Sequence, residues 1–374
     1  MRKLLSFLRR EAVLTAALLL ALISAVLVGI DRAYLDYIDT DVLLLLFSLM
    51  AVVRALSHLG LFDEAGRILC RVGRNARRTA LLLVLACFFF AMLITNDVAL
   101  ITFVPLALLL LSGRERLYTV ALMSAAANLG SMATPIGNPQ NIYLVSHYGM
   151  DGGTFFGTVL PVAGLSVLLT ALGTLLLPKK PLAAAEPDPS GAKPLTDRRG
   201  KLTALVCGLL FVLCLLSVFR VLPKWVCALA ALAVFLLLDR RALREVDYAL
   251  LLTFMCFFVF VGNLGRIGIV HDFLVRRIAG HELAAGVLLS QVISNVPAAL
   301  MLSSFTENAP ALLLGVNVGG LGTLVASLAS LISFQLYRRA DGAETGRYLL
   351  VFTLVNVVLL LPLYLLSSLL LGAI

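Results

Sequence analysis

The chain has 374 residues, of which 61% are hydrophobic and 14% charged. Many apolar segments reach the roughly 20 residues that span a bilayer, which excludes a soluble enzyme and indicates an all-α polytopic membrane protein. The net charge of +9 does not indicate nucleic-acid binding, because the basic residues lie in short loops between apolar segments. The six cysteines show no CxxC or Cys/His grouping, so neither a metal site nor a disulfide framework is predicted.

The first apolar segment, residues 11 to 30, follows a basic start, as in a secretory signal peptide. Its apolar run is long and no clear small-x-small cleavage site follows, so we interpret it as an uncleaved first span. The further apolar segments are residues 41–60, 79–111, 118–148, 154–178, 202–220, 223–238, 247–265, 283–305, 310–337 and 347–371.

Two stretches are predicted to be re-entrant helical hairpins, each made of two half-helices that meet at a polar tip. Residues 79–111 are too many for one upright span and are interrupted at Thr95-Asn96-Asp97. Residues 283–308 are interrupted at Ser294-Asn295-Val296-Pro297.

Residues 118–148 are predicted to form a broken transmembrane helix. Pro135 and Pro139 each remove a backbone donor, and Gly130 and Gly137 relax the backbone. Irregular backbone at bilayer depth is tolerated only where protein or water satisfies its polar groups, so the break predicts a binding site. The alternative is a proline kink that only shapes packing, but a kink does not explain the Asn, Ser, Thr and Gln residues at the break.

A second broken helix is predicted over residues 310–337. It has no proline at the break, so the interruption must rest on Gly319, Gly320 and Gly322.

The two halves of the chain repeat one another in order. The repeated motifs are Asn128-x-Gly130-x-x-x-Thr134 with Asn317-x-Gly319-x-x-x-Thr323, Thr95-Asn96 with Ser294-Asn295, and Leu59-Gly60 with Ile267-Gly268, at offsets of 189, 199 and 208 residues. We therefore predict a first repeat over residues 1–178, a cytoplasmic linker over 179–201 and a second repeat over 202–374.

The distribution of Lys and Arg predicts the topology. If the N-terminus is cytoplasmic and both hairpins return to the side they left, 23 of the 30 basic residues lie in inside loops and six in outside loops. The first hairpin then enters from inside and the second from outside, which is an inverted repeat with its site near the bilayer midplane. An external C-terminus follows from this assignment. We expect the membrane to be a bacterial inner (plasma) membrane.

At these motifs the chain resembles the ion transporter superfamily, which includes arsenite permeases, CitMHS-type citrate transporters, NhaD-type sodium/proton antiporters and divalent anion/sodium symporters. Asn96-Asp97-x-Ala99-Leu100 is similar to the first-hairpin motif of the arsenite permease branch, and residues 127–141 are similar to its Ala-Asn-Ile-Gly-Gly-Ala-Ala-Thr-Pro-Ile-Gly-Asp-Pro-Pro-Asn. Ser294-Asn295 matches the start of the Ser-Asn-Thr tip motif of the dicarboxylate symporters.

The chain departs from these patterns at three positions. Asn138 stands where the arsenite permease branch has Asp, and Asp97 and Val296 stand where the dicarboxylate motif has Thr. Substrate identity therefore does not carry over. The resemblance implies an inverted-repeat fold, alternating access and a homodimer.

The breaks bring half-helix N-termini, with unpaired N–H groups and partial positive charge, to the centre of the protein. A small anion could be held there without Lys or Arg, and freed carbonyls could coordinate a cation. The candidate binding residues are Thr95, Asn96, Asp97, Asn128, Gly130, Thr134, Gly137, Asn138, Asn141, Ser294, Asn295, Asn317, Gly319 and Thr323.

Asp97 is the candidate coupling residue. A carboxylate at this depth costs several kcal/mol unless it is protonated, paired or facing water, so we expect it to act together with H⁺ or Na⁺. The alternative role is an N-cap for the second half of the hairpin. No cofactor is predicted, and no metal beyond Na⁺ at the hairpin tips.

These features predict an ion-coupled secondary active transporter of a small anionic solute, a carboxylate or an oxyanion. Arsenite or antimonite efflux, sodium/proton antiport and a channel are the alternatives. An intramembrane enzyme is disfavoured because GxSxG, HExxH and paired-Asp motifs are missing from the sequence. The predicted partners are the lipid bilayer, the solute or ion, and a second copy of the chain.

Overall fold

The computed structural model describes residues 11–60, 75–181 and 198–372, and within these ranges it contains helices and no strand. In chain order the helices are α1 (Ala12–Val28), α2 (Tyr34–Tyr37), α3 (Thr40–His58), α4 (Ala76–Ile94), α5 (Asn96–Leu110), α6 (Gly113–Ser131), α7 (Pro139–Tyr148), α8 (Gly152–Gly173), α9 (Arg198–Val218), α10 (Lys224–Leu238), α11 (Arg240–Arg244), α12 (Tyr248–Arg266), α13 (Gly268–Ile278), α14 (Glu282–Ile293), α15 (Asn295–Ser303), α16 (Ala309–Val318), α17 (Leu328–Arg338) and α18 (Thr345–Gly372). The all-α prediction is confirmed.

Six of the described helices are long and apolar enough to cross a bilayer: Thr40–His58, Ala76–Ile94, Gly152–Leu176, Gly200–Val218, Tyr248–Arg266 and Thr345–Gly372. Large aliphatic side chains are exposed on such helices, for example Leu205 and Leu369 at 61% and 73%. Apolar surface of this extent is stable in lipid hydrocarbon. The chain is therefore an integral membrane protein.

The first predicted hairpin consists of α4 and α5, which pack against each other and are joined by Thr95 alone. Both ends of this hairpin lie at the C-terminal end of α8. The amide of Ala76 donates to the carbonyl of Lys180 at 2.9 Å. Tyr118, in the second turn of α6 after the hairpin, donates its hydroxyl to the carbonyl of Gly173 at 3.1 Å.

The second predicted hairpin consists of α14 and α15, joined by Ser294 alone. Its two ends are linked directly, because the hydroxyl of Thr306 donates to the carboxylate of Glu282 at 3.0 Å. Tyr148, the last residue of α7, donates to the carbonyl of Thr306 at 2.8 Å. The end of the first hairpin away from its tip thus lies near the start of α6, and the corresponding end of the second hairpin lies near the end of α7. These are opposite ends of the same interrupted helix.

Several contacts near helix ends join residues that the Lys and Arg distribution predicts on the same side of the membrane. At one end Arg116 contacts Asp341 and His58 contacts Asp239, and at the other end Arg266 contacts Asp31 and Lys224 contacts Asp41. This grouping agrees with the opposite orientation of the two halves. The repeat boundaries at 178 and 202 and the insertion of the hairpins into a membrane stay predictions, and most of the linker, residues 182–197, lies outside the described residues.

Both helix breaks lie where the sequence indicates. α6 ends at Ser131 and α7 begins with Pro139, whose missing N–H costs nothing in the first turn of a helix. In the second half α16 ends at Val318, and Gly322 adopts φ +110° before α17 begins at Leu328. A glycine-based break therefore replaces the proline-based one.

Gly130 is required by close helix packing, and we expect its substitution to be costly. A Cβ at this position would collide with the backbone of Phe88 in α4, which cannot move aside as a side-chain end could. We predict that Gly130→Ala lowers the free energy of unfolding by about 3 kcal/mol. Gly157→Ala in α8, where nothing lies within 4 Å of the added methyl, should raise it by up to about 1 kcal/mol. Thermal unfolding of the two variants in detergent measures the difference, and equal melting temperatures would contradict the packing argument.

Glu245, between α11 and α12, makes the stability of this end of the protein sensitive to acid. His58 lies 2.9 Å from its carboxylate and Arg241 donates to it at 2.6 Å, and these bonds lower the pKa of Glu245 below its usual value. Because the pKa is lower in the folded than in the unfolded state, this contribution is present above about pH 4.5 and is lost as the pH falls through the folded-state value.

We predict that the melting temperature decreases as the pH is lowered from about 4.5. The melting temperature of Glu245→Gln should decrease less steeply over the same pH range. The carboxylate is partly exposed, so the difference should stay within ~1 kcal/mol and shrink as salt is added. Identical acid profiles of the variant and the parent at low salt would contradict the assignment.

Candidate solute and ion site

The two hairpin tips share an unusual backbone conformation. Thr95 has φ 73° and ψ 151°, and Ser294 has φ 75° and ψ 155°. This region of φ/ψ space is populated almost only by glycine, and occupying it costs other residues about 1–3 kcal/mol. The same strained turn in both halves, with Asn96 or Asn295 opening the next helix, indicates that the tips are built to a common geometry.

Thr134 and Thr323 support these tips from the helix breaks. The hydroxyl of Thr134 donates to the carbonyl of Met92, and the hydroxyl of Thr323 donates to the carbonyl of Gln291 at 3.2 Å. Each acceptor lies three residues before its tip residue, so the two contacts are equivalent in the two repeats. Both threonines satisfy a carbonyl that the end of a helix would leave unpaired.

Asn128, near the end of α6, is the centre of one half of a buried polar network. Its side-chain oxygen accepts from the hydroxyl of Ser327 at 2.7 Å and from the amide of Asn96 at 3.1 Å. Its side-chain amide donates to the hydroxyl of Ser330 at 3.1 Å. The first hairpin, the first broken helix and the second broken helix therefore meet at one residue.

Asn317, the equivalent residue in α16, makes the reciprocal contacts. Its side-chain oxygen accepts from Asn138 at 3.0 Å, and its amide donates to Asn141 at 2.7 Å. Ser327 and Ser330 follow Asn317 by ten and 13 residues, as Asn138 and Asn141 follow Asn128. Each central asparagine thus accepts from the +10 residue and donates to the +13 residue of the other half, which is the pattern that a twofold relationship produces.

We call the following residues the asparagine network: Asn96, Asn128, Asn138, Asn141, Asn317, Ser327 and Ser330. Asn96, at 6%, is the most exposed of them. Asn295 adjoins the network, because its amide nitrogen would lie 3.0 Å from a Cβ on Gly320, and the carbonyl of Gly320 accepts from Asn128 at 3.4 Å. Both tips therefore contact the same centre, which faces protein instead of lipid.

Three glycines among the candidate residues have a packing role. A Cβ on Gly319 would lie 2.9 Å from the backbone of Val287 in α14, which matches the approach of Gly130 to Phe88 in the first half. A Cβ on Gly137 would collide with the backbone of Ser131 across the break. These positions let the broken helices approach the hairpins and close on themselves.

Asp97 lies in the first turn of α5, half-buried at the edge of the network. The cap position is Thr95, and the amide of Asp97 itself donates to the side chain of Asn96 at 3.0 Å, so Asp97 does not have the N-cap role considered above. It lines a cavity of about 70 Å³ together with Arg54 and Asp247. The rest of this Asp97 cavity is mostly aliphatic and is lined by the first hairpin together with α3, α7 and α12.

Comparison with known proteins shows the family of the chain. The family model described as "Citrate transporter" matches residues 4–314, which is most of the chain. The chain belongs to the citrate transporter family. The resemblance to that branch is confirmed, and the protein is a membrane transporter, not an enzyme.

Two proteins and one solved structure are similar to the chain over most of its length. An uncharacterized transporter of Methanocaldococcus jannaschii, MJ0456, is 32% identical over 311 residues, covering 82% of this chain and 83% of that protein. The inner membrane protein YbiR of Escherichia coli is 33% identical over 309 residues, covering 80% of each. The crystal structure of the Alcanivorax borkumensis YdaH transporter superimposes with a TM-score of 0.61 at 16% identity, covering 97% of this chain and 98% of that one. The chain therefore shares its fold with a solved transporter.

The second hairpin tip has a cavity equivalent to the Asp97 cavity. It measures about 290 Å³, and its lining repeats the first at the offsets of the sequence motifs. The equivalent pairs are Leu93 with Val292, Thr95 with Ser294, Ile136 with Val325, Pro139 with Leu328, Ile142 with Leu331, and Leu49 with Phe257. At the offset of 199 residues Val296 corresponds to Asp97. None of the residues that line this second cavity is ionisable.

Several residues of the site lie outside the candidate set. Ser327 and Ser330 are network members that the candidate set omits, although the offset of 189 residues makes them the sequence equivalents of Asn138 and Asn141. Gln291 was missed because a single glutamine in an apolar helix carries no motif, yet its amide donates to the carbonyls of Gly319 and Leu321, each at 2.9 Å.

Proposed function

We propose that the protein is an ion-coupled secondary active transporter that moves a small solute, a carboxylate or an oxyanion, by alternating access. The reciprocal asparagine network supports this function most strongly. Two halves that face opposite ways place their broken helices and hairpin tips against one centre, which is the arrangement in which inverted-repeat transporters bind their solute.

The chemistry of the centre favours a small anion. Helices α5, α7 and α15 begin at or beside the network, so their N-terminal amides and positive dipole ends face it. The network consists of amides and hydroxyls, which donate hydrogen bonds without carrying charge. An anion bound by neutral donors is held less tightly than one paired with arginine, which suits a solute that must be released.

Asp97 supplies the coupling. Its carboxylate lies beside the network in a mostly aliphatic cavity, where an unprotonated carboxylate is unfavourable unless it faces water or a cation. An anionic solute would be repelled by this charge, so its binding should require H⁺ or Na⁺ at Asp97. We propose this coupled occupancy as the link between the ion gradient and the solute.

The Lys and Arg distribution supports a cytoplasmic N-terminus, and the E. coli relative supports location in a bacterial inner membrane. Exposed apolar side chains on the long helices face the lipid. Dimerisation is proposed on the resemblance alone.

A ligand screen followed by flux measurement tests the proposed function. The purified protein should melt at a higher temperature with its solute, because a ligand that binds the native state stabilises it by mass action. Carboxylates, sulfate, phosphate, arsenite and sodium are tested at several pH values, and each hit is then measured for uptake into proteoliposomes.

We expect a carboxylate or oxyanion to stabilise the protein more at low pH or with sodium, and its flux to saturate and to proceed against its gradient when a proton or sodium gradient is imposed. Flux that never exceeds electrochemical equilibrium would indicate a channel. If arsenite alone stabilises the protein, the solute is the neutral species As(OH)₃ and not an anion.

A further inference from the structure

A second polar cavity lies along the same helices as the Asp97 cavity, towards their other ends. It measures about 360 Å³, and Asp39, Tyr143, His147 and Gly262 are among its lining residues. We call it the His147 cavity. It lies near the end of the protein where Lys224 contacts Asp41, whereas the exposed Asp247 places the Asp97 cavity near the end where His58 contacts Asp239.

One stripe of α12 connects the two cavities. Asp247, capping the N-terminus of α12, and Leu250 line the Asp97 cavity, and Phe258 and Gly262 line the His147 cavity. The intervals of three, eight and four residues place all four on or near one face of the helix. Phe254 occupies the position between Leu250 and Phe258 on this face.

Helices α7 and α3, like α12, line the Asp97 cavity with one part of their length and the His147 cavity with the next part of the same chain segment. On α7, Ile142 lines the Asp97 cavity and the next residue, Tyr143, lines the His147 cavity. On α3, Leu46 lines the first, whereas Asp39, just before the helix, lines the second. Both cavities therefore lie between α7 on one side and α3 with α12 on the other.

Three aromatic rings fill the space between the cavities. The ring centroids of Tyr143, Phe254 and Phe258 are 5.8, 6.1 and 6.4 Å apart in pairs, and the three residues are 3%, 0% and 7% exposed. Eight residues separate Leu250 from Phe258, which is a rise of about 12 Å along the axis of α12. Rings packed this closely leave no room for water, and an apolar constriction of this kind blocks ions by excluding water.

The two phenylalanines of the aromatic layer have no aromatic equivalents in the first half. At the offset of 208 residues, Phe254 corresponds to Leu46 and Phe258 to Met50, and both first-half residues line the Asp97 cavity. The two halves thus differ where α3 and α12 face α7. Aliphatic side chains of α3 leave room for the Asp97 cavity, whereas aromatic side chains of α12 pack against Tyr143 and fill the equivalent space.

We propose that the two cavities are the two ends of one pathway for the transported solute, and that Tyr143, Phe254 and Phe258 close it on the side of the His147 cavity. This inference rests on the proposed transport function. It assigns the path to the boundary between α7 and the α3–α12 pair, and it assigns Phe254 as the residue on which closure most depends.

Labelling of a cysteine in the Asp97 cavity tests this closure without knowledge of the solute. Leu250→Cys is introduced into a chain whose six native cysteines, Cys70, Cys87, Cys207, Cys214, Cys227 and Cys256, are replaced. A membrane-impermeant cationic methanethiosulfonate is then applied to one face of oriented vesicles at a time. With the aromatic layer intact, we expect labelling only from the face on which the Asp97 cavity opens.

Adding Phe254→Ala, or Phe254→Ala with Phe258→Ala, should allow labelling from the other face as well. Phe235→Ala is the matched control, because Phe235 is fully buried in α10 and lines neither cavity. Labelling from the Asp97 face must persist in every variant, which shows that the fold is intact.

If neither aromatic variant is labelled from the second face while labelling from the first face persists, the pathway is wrong. Labelling from both faces in the Phe235→Ala control would equally overturn it, because closure would then not depend on the aromatic layer. These outcomes are independent of solute flux, so a failure of the proposed transport function would be recognised separately.

Discussion

Replacing Asn128 with alanine is expected to abolish solute binding and to lower the free energy of unfolding by about 2–4 kcal/mol. The amide of Asn96 and the hydroxyls of Ser327 and Ser330 would lose a partner in a buried site, and each unsatisfied group costs about 1–3 kcal/mol before partial relaxation. Thermal unfolding and ligand-induced stabilisation measure the two effects.

Asn356 in α18 provides a matched control for this substitution. It is fully buried like Asn128, but its amide donates only to the carbonyl of Phe352 in its own helix and its side-chain oxygen has no partner. Asn356→Ala should therefore cost about 1 kcal/mol or less and leave binding unchanged. Equal losses in the two variants would show that the network has no special role.

Asp97→Asn is expected to remove the dependence of transport on the ion gradient. The amide keeps the shape of the carboxylate but can neither take up a proton nor carry the charge that attracts sodium. Solute exchange across the membrane should persist or increase at high pH, whereas accumulation against a gradient should be lost. Counterflow and gradient-driven uptake in proteoliposomes distinguish the two activities.

Asp341→Asn is the control for this variant, because Asp341 lies in an exposed loop and contacts Arg116 through its backbone carbonyl. It should accumulate solute like the parent protein. Accumulation by Asp97→Asn with unchanged proton and sodium dependence would remove Asp97 from the coupling mechanism.

The interruptions in the helices could be predicted from the sequence because they depend on local chemistry. Pro139 occupies the first turn of α7, and the polar tips at Thr95 and Ser294 divide the two hairpins where the sequence indicates. The sides of the membrane assigned from Lys and Arg stay a prediction. The contacts of Arg116 with Asp341 and of Arg266 with Asp31 each join residues that this assignment places on one side.

The pairing across the network could not be predicted in the same way. That Asn128 bonds to Ser327, and not to Asn138 of its own half, depends on how two distant segments cross. Nor does the sequence reveal the strained tips, because Thr95 and Ser294 adopt a conformation that local propensity assigns to glycine. Tertiary contacts impose that conformation and can be recognised only in the folded protein.

A structure of the protein with its bound solute would test the central claim most directly. We predict solute density in contact with Asn96 at one tip, with Asn295 at the other and with at least one of the central residues Asn128 and Asn317. Density confined to the His147 cavity, or to a surface outside both halves of the network, would contradict the proposal that the two repeats build one shared site.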